Sequence, residues 1–170
     1  MLYVVFAFLA GLLTKFADDY SERKSKKGTY SLILGISYAI AIVVSSHLNI
    51  EVLSLIAGVV VGTVISGKID RVEHIVAILI ILGYIVLNIN RIVFPIVVAF
   101  AISSFIDEGF HEMSNGMRGV WGLLARERIV TPLIALLLSV YSVSYFLYIV
   151  AFDIGYKLAN ISFNRNRNIL

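Results

Sequence analysis

The chain has 170 residues, 59% of them hydrophobic, with a net charge of +3, no cysteine and a mean hydropathy of +0.93. That apolar fraction exceeds the roughly 45–50% of soluble domains and places the chain among membrane proteins. The missing cysteine excludes disulfides, thiolate metal sites and cysteine nucleophiles. The basic residues flank apolar runs instead of forming a stripe, which points to membrane topology and anionic head groups and away from nucleic acid as a partner.

In chain order, apolar segments run over 2–17, 30–46, 50–66, 75–87, 92–106 and 129–152. They predict an all-α, polytopic transmembrane bundle of six segments, arranged as three helical hairpins with a pseudo-threefold repeat. Residues 1–156 read as one transmembrane domain and 157–170 as a polar, basic tail. The first segment reads as a retained helix, since no basic residue precedes it and its charges follow it. Lys15, Arg23, Lys24, Lys26 and Lys27 follow the first segment, Lys68 and Arg71 the third, and Arg118, Arg126 and Arg128 the fifth. The intervening turns hold only Arg91. The positive-inside rule therefore predicts a multi-pass protein of the cell membrane, with the N-terminus outside and the three charged turns in the cytoplasm. The tail, with Lys157, Arg165 and Arg167, falls outside in this scheme. Segments 75–87 and 92–106 give about 20 Å of helix each against a core of ~30 Å, which suggests a short or re-entrant hairpin around Asn88, Asn90 and Arg91.

The ends of the odd segments repeat a ladder in steps of four: Ala10-Thr14-Asp18-Glu22, Gly62-Ser66-Asp70-His74 and Ala99-Ser103-Asp107-His111. Residues four apart share a helix face, and small residues mark faces where membrane helices approach closely. Gly58-x-x-x-Gly62 extends the second ladder. Asp18, Asp70 and Asp107 are thus expected to point into the bundle. Their convergence would gather Asp18, Glu22, Asp70, His74, Asp107 and His111 as metal ligands, with Asp19, Glu73, Glu108 and Glu112 in support. Like charges held so close favour a divalent cation, and a carboxylate-rich shell suits Mg²⁺ or Mn²⁺. Lys15, Lys68, Arg71 and Arg126 stand beside these acids, as phosphate binding requires. His74 or His111 could serve as general acid or base.

Asp18-Asp19-Tyr20-Ser21-Glu22 is similar to the aspartate-rich diphosphate-binding motifs of UbiA-type membrane prenyltransferases, which also lie on cytoplasmic turns. The resemblance covers five residues and implies a shared way of binding diphosphate; the two later ladders place histidine where the later acid stands. The expected function is a divalent-metal-dependent enzyme acting on a lipid phosphate or polyprenyl diphosphate, with membrane lipids as partners. The competing readings are a divalent-cation transporter or channel and a non-catalytic assembly protein. A cation pathway needs polar groups at midplane, and the segment centres offer only Ser, Thr and Gly. Elsewhere, His47 and Glu51 read as surface-turn residues, Asp153 as a buried partner or interfacial residue, Trp121 as an interfacial anchor, and Tyr141, Tyr145 and Tyr148 as packing residues.

Overall fold

The structure, a computed structural model, describes residues 1–22, 28–67, 69–116, 119, 122 and 127–167. These residues form seven α-helices and no strand: α1 (Leu2–Glu22), α2 (Gly28–Leu48), α3 (Glu51–Ile65), α4 (Val72–Leu87), α5 (Phe94–Met113), α6 (Val130–Leu138) and α7 (Val143–Arg167). Two of them, over Thr29–Leu48 and Phe94–Met113, are long and apolar enough to cross a membrane. Large apolar side chains are exposed on most helices, including Leu79, Val86, Phe94 and Leu137. An outer surface of that kind exceeds what monomeric soluble proteins show.

The helices alternate in direction between two polar ends. At one end the Ser45 hydroxyl donates to the Tyr3 carbonyl at 3.0 Å, the Asn49 amide to Ser144 Oγ at 2.8 Å, and the Val93 N–H to Ser54 Oγ at 2.9 Å. Ser142 donates to the Glu51 carboxylate beside them. The C-terminal ends of α1, α3 and α5 and the N-terminal ends of α2, α4 and α6 lie at the opposite, acidic end. Between the two ends a core of Val52, Leu53, Leu55, Phe100 and Ile81 is closed to solvent, with the Phe100 and Tyr145 rings edge to face at 5.8 Å. Tyr148 is buried in the same core, whereas Tyr141 is exposed.

The run 129–152 is not one segment. The chain turns between α6 and α7, where Tyr141 and Ser142 both donate backbone N–H groups to the Leu138 carbonyl, and Ser142 is tied to Glu51. Helix α7 then runs parallel to α1 and brings Tyr156 to Asp18. The tail's first basic residue, Lys157, therefore lies at the acidic end, 2.5 Å from Glu127, and not at the opposite end as the six-segment scheme required. The fifth segment is also longer than expected: α5 continues through Met113, a 20-residue helix.

Glycines set the closest helix approaches. A Cβ on Gly11 would overlap the Phe152 carbonyl, and one on Gly155 the Phe8 carbonyl, so α1 and α7 cross backbone against backbone. Gly58 and Gly62 do the same for α3 against α5: added Cβ atoms would lie 2.5 Å from the carbonyl oxygens of Val97 and Ala101. Without water to drive association, such close packing is a main source of helix affinity in lipid. Gly58→Leu is expected to lose about 1–3 kcal/mol by overpacking, read as a lower Tm in detergent. Gly83→Ala, where an added Cβ meets nothing within 4 Å, should leave Tm unchanged or raise it.

Candidate functional site at the acidic end

Three ladder aspartates have three different fates. The first and third ladders lie on continuous helices, so Asp18 and Asp107 do face the bundle. The second is broken. Helix α3 stops at Ile65, Gly67 adopts φ +70°, and Arg71 is extended at φ −109° and ψ 138°, so His74 belongs to α4 and Asp70 to the connecting strand of chain. Asp70 is exposed there. The left-handed turn, which glycine adopts without steric cost, ends the four-step register.

Asp18 is the hub of the first cluster. Its Oδ1 lies 2.9 Å from His74 Nε2 on α4, and its Oδ2 accepts a 3.0 Å hydrogen bond from the Tyr156 hydroxyl on α7. The other ring nitrogen of His74, Nδ1, is 2.8 Å from the Tyr38 hydroxyl on α2. An ionised carboxylate only accepts, so Nε2 carries the hydrogen, and in the neutral ring Nδ1 accepts from Tyr38. Four helices thus contribute one group each to a hydrogen-bonded chain, Tyr38–His74–Asp18–Tyr156. Burial first, and then the Asp18 carboxylate, raise the Tyr156 hydroxyl above its usual pKa, so it stays a donor.

Basic groups surround this chain. Arg71 donates to the Asp18 carbonyl at 3.2 Å and to Ser21 Oγ. Lys15 pairs with Asp19 at 3.1 Å and lies 5.5 Å from the centre of the Tyr156 ring. Two carboxylate oxygens close by, Asp19 Oδ2 and Glu73 Oε1, are buried without a hydrogen-bond partner. Glu73 is wedged where α2 and α4 meet, since a Cβ on Gly35 would lie 2.7 Å from the Glu73 carbonyl oxygen. Of the other expected residues, Lys68 and Arg126, and the side chain of Glu22, lie outside the described residues.

A second cluster joins α5, α6 and α7. Asp107 accepts the Val130 N–H at 2.9 Å through Oδ1 and the Thr131 N–H at 2.7 Å through Oδ2, and so caps α6. Glu108 pairs with Arg128 at 3.1 Å. Asp153, half-buried on α7, was not among the expected site residues. His111 does not join either cluster by a described contact, and its Nδ1 is buried without a partner. Glu112 is exposed.

Among the described residues no three His, Asp or Glu side chains are grouped to hold a metal ion. The oxygens of Asp18 and Asp107 and both nitrogens of His74 take part in hydrogen bonds, and Asp18 and Asp107 lie in separate clusters. Comparison with protein families, curated proteins and solved structures finds no match to this chain.

Proposed function

We propose that the protein is a multi-pass membrane enzyme whose acidic end, facing the cytoplasm, binds and processes a phosphorylated lipid. The observation that carries this reading is the Tyr38–His74–Asp18–Tyr156 chain, with Lys15 and Arg71 beside it. Titratable groups within a membrane bundle are costly, and their concentration at one end marks a functional site. Within the chain, Asp18 fixes the His74 tautomer and Tyr38 holds the opposite nitrogen. A proton can then pass between hydroxyl, imidazole and carboxylate without an isolated charge forming, as general acid–base work on a phosphoryl group requires. Lys15 and Arg71 supply positive charge at the same depth.

Among the described residues, the hydroxyls of Thr14, Ser37, Ser46 and Thr63 donate to carbonyls of their own helices. Those bonds leave the oxygen lone pairs open, but the segment centres carry no charged side chain to hold an ion, which favours the enzyme over a cation carrier. The exposed apolar surface and the two spanning-length helices support membrane insertion. The basic residues near the acidic end support its cytoplasmic placement, and Lys157 on that end leaves Arg91 as the basic residue opposite among those described.

The test pairs turnover with topology. Purified protein in mixed micelles is presented with phosphomonoester lipids and polyprenyl diphosphates, with and without Mg²⁺ or Mn²⁺, and phosphate or diphosphate release is followed. Asp18→Asn and His74→Gln are each expected to reduce turnover by roughly 10²–10⁴-fold, while Asp70→Asn has a smaller effect. Full activity in Asp18→Asn sinks the assignment of the site, and no turnover of any phosphorylated lipid sinks the function. In the cysteine-free background, Ser25→Cys should label from the cytoplasmic side and Tyr141→Cys from the opposite side. Labelling of Tyr141→Cys from the cytoplasm overturns the orientation.

A further inference from the structure

Arg128 has a backbone conformation that nothing in its own chemistry favours. Its φ is +49°, the one left-handed non-glycine residue among those described. A non-glycine residue held there is strained, and such strain persists only where the surroundings over-determine it. They do so here from both sides. Glu127 is tied to Lys157 on α7 at 2.5 Å, and the N–H groups of Val130 and Thr131 are tied to the Asp107 carboxylate on α5. The side chain itself is held by Glu108 on α5, whose own side chain is only 8% exposed.

Both Glu108 contacts use the same nitrogen: Arg128 Nη2 lies 3.1 Å from Oε1 and 3.3 Å from Oε2. A guanidinium presents five N–H donors in a planar fork. The Nε and Nη1 edge has no hydrogen bond among the described residues, and the side chain remains 49% exposed. We propose that Arg128 is a ligand-binding residue that grips a phosphoryl group through this open Nε and Nη1 edge. The inference rests on the reading of the acidic end as a phosphorylated-lipid site and adds to it the residue that holds the phosphate.

The position suits that role. The charge of Arg128 reaches Tyr156, the donor to Asp18, and Asp153, so it stands between the two clusters. Nearby acids are mostly occupied: Asp107 by two backbone N–H groups, Glu127 by Lys157, and Glu108 by Arg128 itself. Asp153, on α7, remains. A planar fork matches two phosphoryl oxygens at once, which a lysine ammonium does not.

Two variants of the full chain test this. Glycine adopts φ +49° freely, but Arg128→Gly also leaves the buried Glu108 carboxylate unpaired, so its Tm should fall while it still folds. The same variant should bind phosphatidylcholine vesicles containing phosphatidic acid at least about tenfold more weakly. Arg128→Lys keeps the charge and loses the fork, and should weaken that binding severalfold. Inorganic phosphate, titrated alone, distinguishes the source: competition at low millimolar concentration means a free phosphoryl ligand suffices, and its absence means the lipid is required. Either result upholds the site. Wild-type affinity in Arg128→Lys overturns it, as does vesicle binding left intact in Arg128→Gly, which would make Arg128 a brace. Should Arg128→Gly fail to fold, Arg128→Lys decides. Phosphate binding that depends on Arg128 without turnover of any lipid would overturn the enzyme reading and leave this site standing.

Discussion

One carboxylate organises the acidic end. Asp18 joins α1 to α4 through His74 and to α7 through Tyr156, while Arg71 from the loop before α4 reaches the Asp18 carbonyl. An ionised group at that depth is tolerable only if its lone pairs are matched, and each partner comes from a different helix. The requirement to satisfy Asp18 therefore fixes the relative heights of three helices, and Tyr38 extends the same constraint to α2. The chemistry proposed for this end and the register of the bundle depend on the same set of hydrogen bonds.

Small residues make that arrangement reachable. Hydrogen bonds of about 3 Å between side chains as short as Asp and His require helix axes close together, and the Gly11–Gly155 crossing supplies that on the α7 side. On the other side of the molecule, Gly58 and Gly62 let α5 approach α3, which carries Asp107 to the start of α6. Glycine contacts in the apolar region and carboxylate contacts at the acidic end thus reinforce one another along the same helices.

Much of this was legible in the sequence. The helical class, the close approach at Gly58-x-x-x-Gly62 and the inward direction of Asp18 and Asp107 follow from apolar runs and four-residue spacing. The equivalence of the three ladders does not survive, because Gly67 turns the chain before Asp70 and moves His74 to a different helix from its ladder. Periodicity alone cannot report a left-handed residue that interrupts it. The division of 129–152 into α6 and α7 was hidden for another reason: the turn at 139–142 holds no Gly, Pro or charged residue, and its fixing partner, Glu51, lies far away in sequence. That misreading also concealed Tyr156, since with the last helix pointing the other way it could not reach Asp18. The Pro132 that follows Thr131 was a signal for the start of α6, and the acid able to cap it, Asp107, was already in view.

The parallel pairing of α1 with α7 has a consequence for assembly. Helix α1 emerges first during synthesis, yet the glycine seam at Gly11 and the second oxygen of Asp18 are matched by a helix made after all the others. Until then α1 has only α2 as a neighbour over most of its length, with a carboxylate half satisfied near its end. The nascent bundle is therefore held open at one seam, and the acidic end acquires its final form in a single closing step when α7 docks. The hydrogen-bonded chain through Asp18 is complete only once the first and seventh helices meet.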